Sequence, residues 1–243
     1  MKVDINCDVG EGMTNEHLLM PYITSCNIAC GGHFGDKNSI DKTIKLAIEN
    51  NILIGAHPSF PDTQNFGRNV MDISKEELRI SIQNQLDLFV KRLSKFNEKL
   101  HHIKPHGALY NLIASDEAFA IHFVETIKNY TKDVFLYVPY NSMIEKVAIS
   151  NNIAIKQEAF ADRNYTDDLK LVSRNHENAV ITDPEEVLNH VYKIINEGKV
   201  KTTSGTEKVI KATTFCLHGD HKNSLAILKY LSHQLLKKGI IIG

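Results

Sequence analysis

Cysteine and proline are scarce in this sequence of 243 residues, and neither sign of charge is in excess. Four cysteines are too few for a disulfide scaffold in a chain of this length. With 42% hydrophobic residues, 13 glycines and 6 prolines, the composition excludes the disordered and collagen-like classes. Lysine and arginine number 28 against 29 aspartates and glutamates, so no basic surplus indicates a nucleic-acid partner. No apolar run approaches the ~18–20 residues that span a bilayer, so no membrane partner is expected.

The amino-terminal residues carry charge at Lys2, Asp4 and Asp8, which interrupts the apolar stretch that a signal peptide needs. We therefore expect a cytoplasmic α/β protein. Neither a linker nor an internal repeat divides the sequence, and α/β barrels of ~200–250 residues commonly form one unit. Residues 1–243 are therefore predicted to form a single domain.

Short apolar runs alternate with helical patterns along the whole sequence. The apolar patterns predict strands over residues 3–7, 23–29, 52–56, 102–104, 135–139, 153–160 and 213–217. Helices are predicted over residues 36–50, 74–96, 116–130, 143–150, 183–197 and 223–238, and a hairpin over 199–211. Strands that alternate with helices are typical of parallel βαβ units. Seven strands with crossovers fit a barrel better than an open five-stranded sheet.

Almost every predicted strand ends in a short run of ionisable residues and glycines. These runs are Asn6-Cys7-Asp8, Cys30-Gly31-Gly32-His33, Gly55-Ala56-His57-Pro58, Lys104-Pro105-His106-Gly107, Phe160-Ala161-Asp162-Arg163 and His218-Gly219-Asp220. In a parallel barrel all of these positions converge at the carboxyl-terminal mouth, where active sites are built. The pattern therefore predicts an active site, although it does not identify the reaction.

Each of these residues also has a structural interpretation. Asp8 could cap a turn, and His57 could be a hydrogen-bonded core histidine. Asp162 and Arg163 could form an ordinary ion pair. Lys104 is harder to explain in this way, because a lysine at a buried strand end needs a partner or a role.

Metal binding and nucleophilic catalysis are both open from the residues alone. A metal could use ligands that converge from different strands, drawn from Asp8, His33, His57, His106, Asp162 and His218, with Asp8, His33 and His57 as the first candidates. The same residues suit metal-free acid–base chemistry equally well. Cys30 could be a nucleophile with a neighbouring histidine as its base, although cysteine is more often a small buried hydrophobe. The sequence contains neither GxSxG nor the Walker motif GxxxxGK[ST].

Six segments of the sequence together resemble the LamB/YcsF family: DINCDVGEG, SCNIACGGHFGD, GAHPSFPD followed by FGR, KPHGALYN, FADRNY and CLHGD. The resemblance covers residues 4–220. It implies a divergent, roughly seven-stranded parallel β/α barrel, similar to glycoside hydrolase and deacetylase barrels. It also implies ATP-dependent opening of 5-oxoproline to L-glutamate, with ATP as the Mg²⁺-bound co-substrate and two partner subunits, B and C.

The sequence departs from the family pattern at two places. Thr166-Asp167-Asp168 stands where members often have a glycine, and Asn69 follows Arg68 where a second arginine is common. Any role that needs the second arginine is therefore not implied for this chain.

The resemblance suggests roles for the residues at the strand ends. Asp8 would be the general base for water, His57 or His106 its orienting partner or acid, and Lys104 the stabiliser of negative charge. Arg68 or Arg163 would bind the substrate carboxylate, with Asp162 and Asp220 holding those cations. The remaining substrate-binding candidates are Asn6, His33 and His218.

Two other functions are compatible with the same residues. One is a metal-dependent amide hydrolase or deacetylase, which would be ATP-independent and sensitive to chelators. The other is a non-catalytic subunit that binds the lactam while its partners perform the chemistry.

Overall fold

The computed structural model describes residues 1–243, and its centre is a closed barrel of seven parallel strands. The strands of the chain are β1 (Lys2–Val9), β2 (Ser25–Ala29), β3 (Leu53–His57), β4 (His102–Ile103), β5 (Phe135–Pro139), β6 (Ile155–Phe160), β7 (Lys199–Lys201), β8 (Glu207–Val209), β9 (Thr214–Cys216) and β10 (Ile241–Ile242). The barrel runs β1 to β6 in order, then β9, which pairs with both β6 and β1 and closes the ring. The predicted seven-stranded parallel barrel is confirmed.

Two further pairings lie outside the ring. Strand β10 extends the lower end of β1 in parallel, and β7 and β8 form the predicted antiparallel hairpin.

Eight α-helices accompany the strands: α1 (Glu16–Leu19), α2 (Lys37–Glu49), α3 (Lys75–Ser94), α4 (Gly107–Ser115), α5 (Glu117–Ile127), α6 (Met143–Ser150), α7 (Pro184–Glu197) and α8 (Ser224–Lys237). The predicted helix starts are confirmed at Ser74, where a capping box with Glu77 is formed, and at Asp183. Helix α7 ends at Gly198, whose φ of 63° is the left-handed conformation that favours glycine. None of these helices is both long and apolar enough to span a bilayer.

The prediction missed helix α4, which follows β4 directly. Pro105 and Gly107 precede its first turn, and both residues are usual markers of loops. In the structure Gly107 adopts a φ of 54° and the helix continues to Ser115. This short helix places Tyr110 over the barrel mouth.

The barrel interior contains polar side chains at its lower end. The Asp4 carboxylate accepts hydrogen bonds there from Ser25, Tyr137 and Thr214, at 2.9, 3.0 and 2.6 Å. All four residues are buried, so the hydrogen bonds offset the cost of removing these groups from water. This network ties four strands together below the mouth.

Candidate active site

A cavity of about 710 Å³ opens at the carboxyl-terminal mouth of the barrel. Its wall includes side chains from three barrel strands and from the loop after β4: Asp8, His57, Glu158, Lys104 and His106. Active sites of β/α barrels are built at this end, because the strands all point their carboxyl ends there. The convergence expected from the strand-end motifs is therefore present.

Lys104 is buried in the floor of this cavity among acceptors. Its ammonium lies 2.9 Å from Asp8 Oδ1, 3.2 Å from Glu158 Oε1 and 2.9 Å from Cys216 Sγ. Burial by itself lowers the pKa of Lys104, but the surrounding negative groups, Asp8 foremost, outweigh it and hold the pKa well above its usual value. Lys104 is therefore a fixed positive charge at the cavity floor.

The Asp8 carboxylate lies between Lys104 and His57. Oδ1 also accepts a hydrogen bond of 2.7 Å from Asn27, and Oδ2 is 3.4 Å from His57 Nε2. Burial raises the pKa of Asp8, yet His57 and Lys104 outweigh it, so the pKa lies well below its usual value. Asp8 is therefore ionised at neutral pH and able to accept a proton.

Three histidines and a glutamate cluster beside Asp8. His57 Nε2 lies 2.9 Å from His106 Nδ1, and Glu11 Oε1 lies 2.8 Å from His33 Nε2 and 3.5 Å from His106 Nδ1. Burial is the main cause that lowers the pKa of His33 and of His106. One ligand atom from each of the four residues lies within 4.8 Å of the others, so the cluster could hold a metal ion.

A second possible metal group is smaller and consists of Asp8, Cys216 and His218. Cys216 is fully buried and its sulfur already accepts from Lys104. The three-histidine cluster is thus the richer donor set.

The outer rim of the cavity carries arginines. Arg68 and Arg174 both donate to Asp220 Oδ2, at 3.1 and 2.9 Å. Burial tends to raise the pKa of Asp220, but the arginines and His218 outweigh it and lower the pKa. Asp220 thus holds two guanidinium groups at the entrance of the cavity.

Arg163 lies deeper and is 6% exposed. Its guanidinium donates to the backbone carbonyls of Ala179 and Val172, so it also orders its own loop. Asp162 does not pair with it. Asp162 accepts instead from His218, through the backbone N–H and through Nδ1, both at 3.0 Å.

The charge of His218 is a main cause that holds the pKa of Asp162 well below its usual value, against the opposing effect of burial. The expectation that Asp162 holds Arg163 is therefore wrong, because Asp162 makes its contacts with His218.

Three predicted substrate-binding residues lie behind the cavity wall: Asn6, His33 and Asp162. Asn6 is buried and donates to Glu158 Oε1 at 2.9 Å, while His33 contacts Glu11. These contacts allow the three residues to position the wall rather than touch a molecule in the cavity. Arg68, Arg163, His218 and Asp220 do line it.

The structure adds site residues that the sequence did not single out: Glu11, Tyr110, Glu158 and Arg174. Glu11 stands in the quoted segment DINCDVGEG, and Tyr110 in KPHGALYN. The sequence offered one indication for Glu158: it lies near the carboxyl end of the strand predicted over residues 153–160, where a buried glutamate needs a partner.

Cys30 is not placed as a nucleophile. Its thiol is 1% exposed and accepts a hydrogen bond from the backbone N–H of His57. Burial raises its pKa to about 12, which keeps the sulfur protonated and unreactive. Cys30 is a packing residue between β2 and β3.

Comparisons with known proteins find similarity along essentially the full length of the chain. The model of the LamB/YcsF family matches residues 3–243. Two Staphylococcus aureus proteins, from strains RF122 and MRSA252 and both named as the A subunit of 5-oxoprolinase, are each 39% identical over 247 aligned residues, covering 100% of this chain and 99% of theirs. The crystal structure of a lactam utilization protein from Thermus thermophilus is 32% identical, with a TM-score of 0.92, covering 100% of this chain and 99% of that one.

Proposed function

The chain belongs to the LamB/YcsF family, and from this premise we propose that it acts in 5-oxoproline metabolism as one subunit of an ATP-dependent 5-oxoprolinase. In this proposal it opens the lactam ring of 5-oxoproline to give L-glutamate, together with partner subunits B and C. The similar proteins from Staphylococcus aureus carry a subunit letter in their names, which supports a multi-subunit enzyme.

The proposal rests on buried polar groups at the cavity that can form hydrogen bonds with the N–H and carbonyl of an amide. Tyr110 Oη and Glu158 Oε2 are buried, belong to residues that line the cavity, and have no hydrogen-bond partner within 3.5 Å. They are neighbours, since burial and the adjacent Glu158 carboxylate both raise the pKa of Tyr110. Buried polar groups are nearly always paired, so two unpaired ones at a cavity favour a ligand that pairs with them. A lactam offers an N–H for Glu158 and a carbonyl oxygen for Tyr110 or Lys104.

The lactam is stabilised by resonance, and its amine stays tethered to the acyl group, so ring closure is favoured. Coupling to ATP hydrolysis supplies the free energy that opening the ring requires. We propose that the lactam oxygen takes the γ-phosphoryl group, releasing ADP. Water then adds to the activated carbon, the C–N bond breaks as the ring nitrogen gains a proton, and an acyl phosphate remains. A second water hydrolyses it to glutamate and phosphate.

Asp8 is the proposed acceptor of the proton from water. It is ionised, lines the cavity and is held by Lys104, Asn27 and His57. Lys104 is proposed to stabilise negative charge that develops on oxygen, because a fixed ammonium in a buried site costs no reorganisation. Arg68 at the rim is the proposed partner of the substrate carboxylate, since guanidinium and carboxylate form paired hydrogen bonds.

ATP, bound with Mg²⁺, is proposed as the co-substrate of the assembled enzyme. The sequence lacks the glycine-rich Walker cradle, and the cavity rim carries Arg68 and Arg174. Phosphoryl transfer is therefore to be tested with the partner subunits present.

The test is glutamate release from 5-oxoproline, measured with this chain alone and with subunits B and C, each with and without ATP. The proposal expects glutamate only from the three subunits together with ATP. A verified complex that releases no glutamate would overturn it.

The histidine cluster favours one alternative, a metal-dependent amide hydrolase. Glutamate release by this chain alone, independent of ATP and abolished by a chelator, would establish that alternative instead.

A further inference from the structure

His57 and His106 face each other with their ring nitrogens 2.9 Å apart. The opposite nitrogen of each ring contacts a backbone carbonyl: His57 Nδ1 lies 2.7 Å from the Lys104 carbonyl oxygen, and His106 Nε2 lies 2.9 Å from that of Phe66. A carbonyl oxygen only accepts hydrogen bonds, so each of these nitrogens must carry its proton. In the neutral form of each ring the carbonyl therefore fixes the tautomer.

With the tautomers fixed, His57 Nε2 and His106 Nδ1 present lone pairs to each other. Glu11 Oε1, a third acceptor, lies 3.9 Å from the first nitrogen and 3.5 Å from the second. With both rings in this neutral form, no protein hydrogen atom is available to any of the contacts among these three atoms. Acceptors that converge in this way repel one another unless a positive species lies between them.

The excess of negative charge at the cluster also favours a bound cation. Asp8 and Glu158 share the single ammonium of Lys104, whereas the Glu11 carboxylate has only histidines as basic neighbours within 4 Å. These three carboxylates and one ammonium leave a formal surplus of two negative charges. All four side chains are at most 10% exposed, so water screens this surplus poorly. A divalent cation would cancel it.

The spacing of the acceptors fits a first-row transition metal. Four ligands about 2.0–2.1 Å from a tetrahedral zinc ion lie roughly 3.3 Å from one another. The separations among the ring nitrogens and Glu11 Oε1 are 2.9, 3.5 and 3.9 Å, which bracket that value. Two histidines and a glutamate leave a position open for a further ligand from the cavity.

The hydrogen bonds that His57, His106 and Glu11 make with their other neighbours also match those of metal ligands. Metal-binding histidines typically donate their other N–H to a backbone carbonyl, as His57 and His106 do here. His33 lies 2.8 Å from Glu11 and can fix its carboxylate in the same way. Phe66, whose carbonyl orients His106, adopts a φ of 56°, which is rare for a bulky residue.

We propose that His57 Nε2, His106 Nδ1 and Glu11 form a binding site for one divalent transition-metal ion, with His33 positioning Glu11. The ion is of the class that imidazole and carboxylate ligands prefer, such as Zn²⁺, Co²⁺ or Mn²⁺. The site goes beyond the proposed lactam chemistry and does not depend on ATP or on partner subunits. It lies beside Asp8, whose Oδ2 is 3.4 Å from His57 Nε2.

The test measures metal binding directly. The purified chain is stripped with a chelator, dialysed and titrated with Co²⁺ and with Zn²⁺ at pH 7.5, with stoichiometry from elemental analysis and geometry from the Co²⁺ absorption spectrum. We expect the unaltered chain to bind one equivalent of either metal ion. His106→Asn and Glu11→Gln are each expected to raise the Kd at least about 100-fold, and His33→Gln about 10-fold, as for an outer contact.

The matched control is His190→Gln, which removes a half-buried histidine on α7 that hydrogen-bonds the Phe160 carbonyl outside the cluster. It should bind one equivalent with an unchanged Kd. Circular dichroism establishes that each variant is folded, and the absorption spectrum of the milder His33→Gln variant reports on the site if another variant fails to fold. The proposal would be overturned if the unaltered chain bound less than one equivalent of metal, or if the variants kept its affinity. A proton shared between His57 Nε2 and His106 Nδ1 would then explain their short separation.

Discussion

The Lys104 ammonium and the Asp8 carboxylate lie 2.9 Å apart at the floor of the cavity, with side chains 2% and 8% exposed. Two charges so far from water are stable only as partners, since each alone would bear the full cost of desolvation. The same contact fixes both in their charged forms. It therefore contributes to the fold and prepares the site for chemistry.

Because this pair is buried, removing only the Lys104 cation should lower the free energy of unfolding more than removing both charges does. We expect Lys104→Met to lower the free energy of unfolding by about 3–5 kcal/mol, since Asp8 and Glu158 are left facing each other. The double variant Asp8→Asn/Lys104→Met should recover part of that loss. Urea unfolding of the two single variants and the double variant measures this coupling, and strictly additive losses would contradict it.

Asp8→Asn should impair turnover without unfolding the chain. A positioned general base contributes about 100- to 10,000-fold to a reaction rate, so kcat of the assembled enzyme should fall within that range. Because the pKa of Asp8 is well below its usual value, Asp8 itself should cause no loss of activity between pH 8 and pH 5. The control is Asp87→Asn on α3, whose carboxylate contacts Tyr130 outside the cavity. Near-normal turnover by Asp8→Asn would remove Asp8 from the base role.

Arg68→Ala should affect binding more than chemistry. Arg68 lies at the cavity rim, where its side chain is 47% exposed, and it shares Asp220 with Arg174. Loss of a charged hydrogen bond to the substrate carboxylate should raise KM about 10- to 100-fold with little change in kcat. Steady-state kinetics over a range of 5-oxoproline concentrations separate the two constants. Arg79→Ala, which removes an arginine paired with Glu76 on α3, is the control, and equal KM values for both variants would refute the assignment.

Much of the fold was predictable because its determinants are local. The capping box at Ser74 and Glu77, and the Pro184 start and Gly198 end of α7, each specify a helix boundary within a few residues. The alternation of strands and helices then implies a parallel sheet. Closure of the ring depends on β9 pairing with β1 across some 200 residues, which the strand count indicated but no local pattern fixes.

The site was predictable only where its residues stand at strand ends. Asp8, His57 and Lys104 belong to such runs, and the structure brings them together. Glu158 lies within β6, and only the pairing of β6 with β9 determines that its side chain points to Lys104. The Arg174–Asp220 contact joins residues 46 positions apart through irregular loops, so no period in the sequence could reveal it.

Gly55 illustrates a constraint that depends on a neighbouring strand. It pairs with His102 across β3 and β4, and a Cβ at Gly55 would overlap the His102 imidazole. That ring is buried, stacks on Tyr137 and contacts Asn27 at 2.7 Å, so it cannot move aside freely. We expect Gly55→Ala to destabilise the fold by about 1–3 kcal/mol, measured by urea unfolding. Unchanged stability of the Gly55→Ala chain would contradict this constraint.

The stability of the chain should depend on the ionisation of His190. Burial lowers its pKa in the folded chain from 6.5 to about 4, while Nε2 contacts the Phe160 carbonyl and the ring stacks on Tyr165. Between these two values the unfolded chain binds more protons, so stability rises with pH through this window and falls as the pH decreases from 6.5 towards 4. At pH 5 the loss relative to pH 7 should be about 2 kcal/mol.

His190→Gln removes the titrating group and should reduce this difference between pH 7 and pH 5 by a similar amount. Urea unfolding of both chains at the two pH values measures it, and His233→Gln, which changes a histidine on α8, serves as the control. The reason for expecting the effect is that only the unfolded chain can protonate this imidazole cheaply at pH 5. If the His190→Gln chain loses as much stability as the unaltered one, the acid sensitivity arises from other groups.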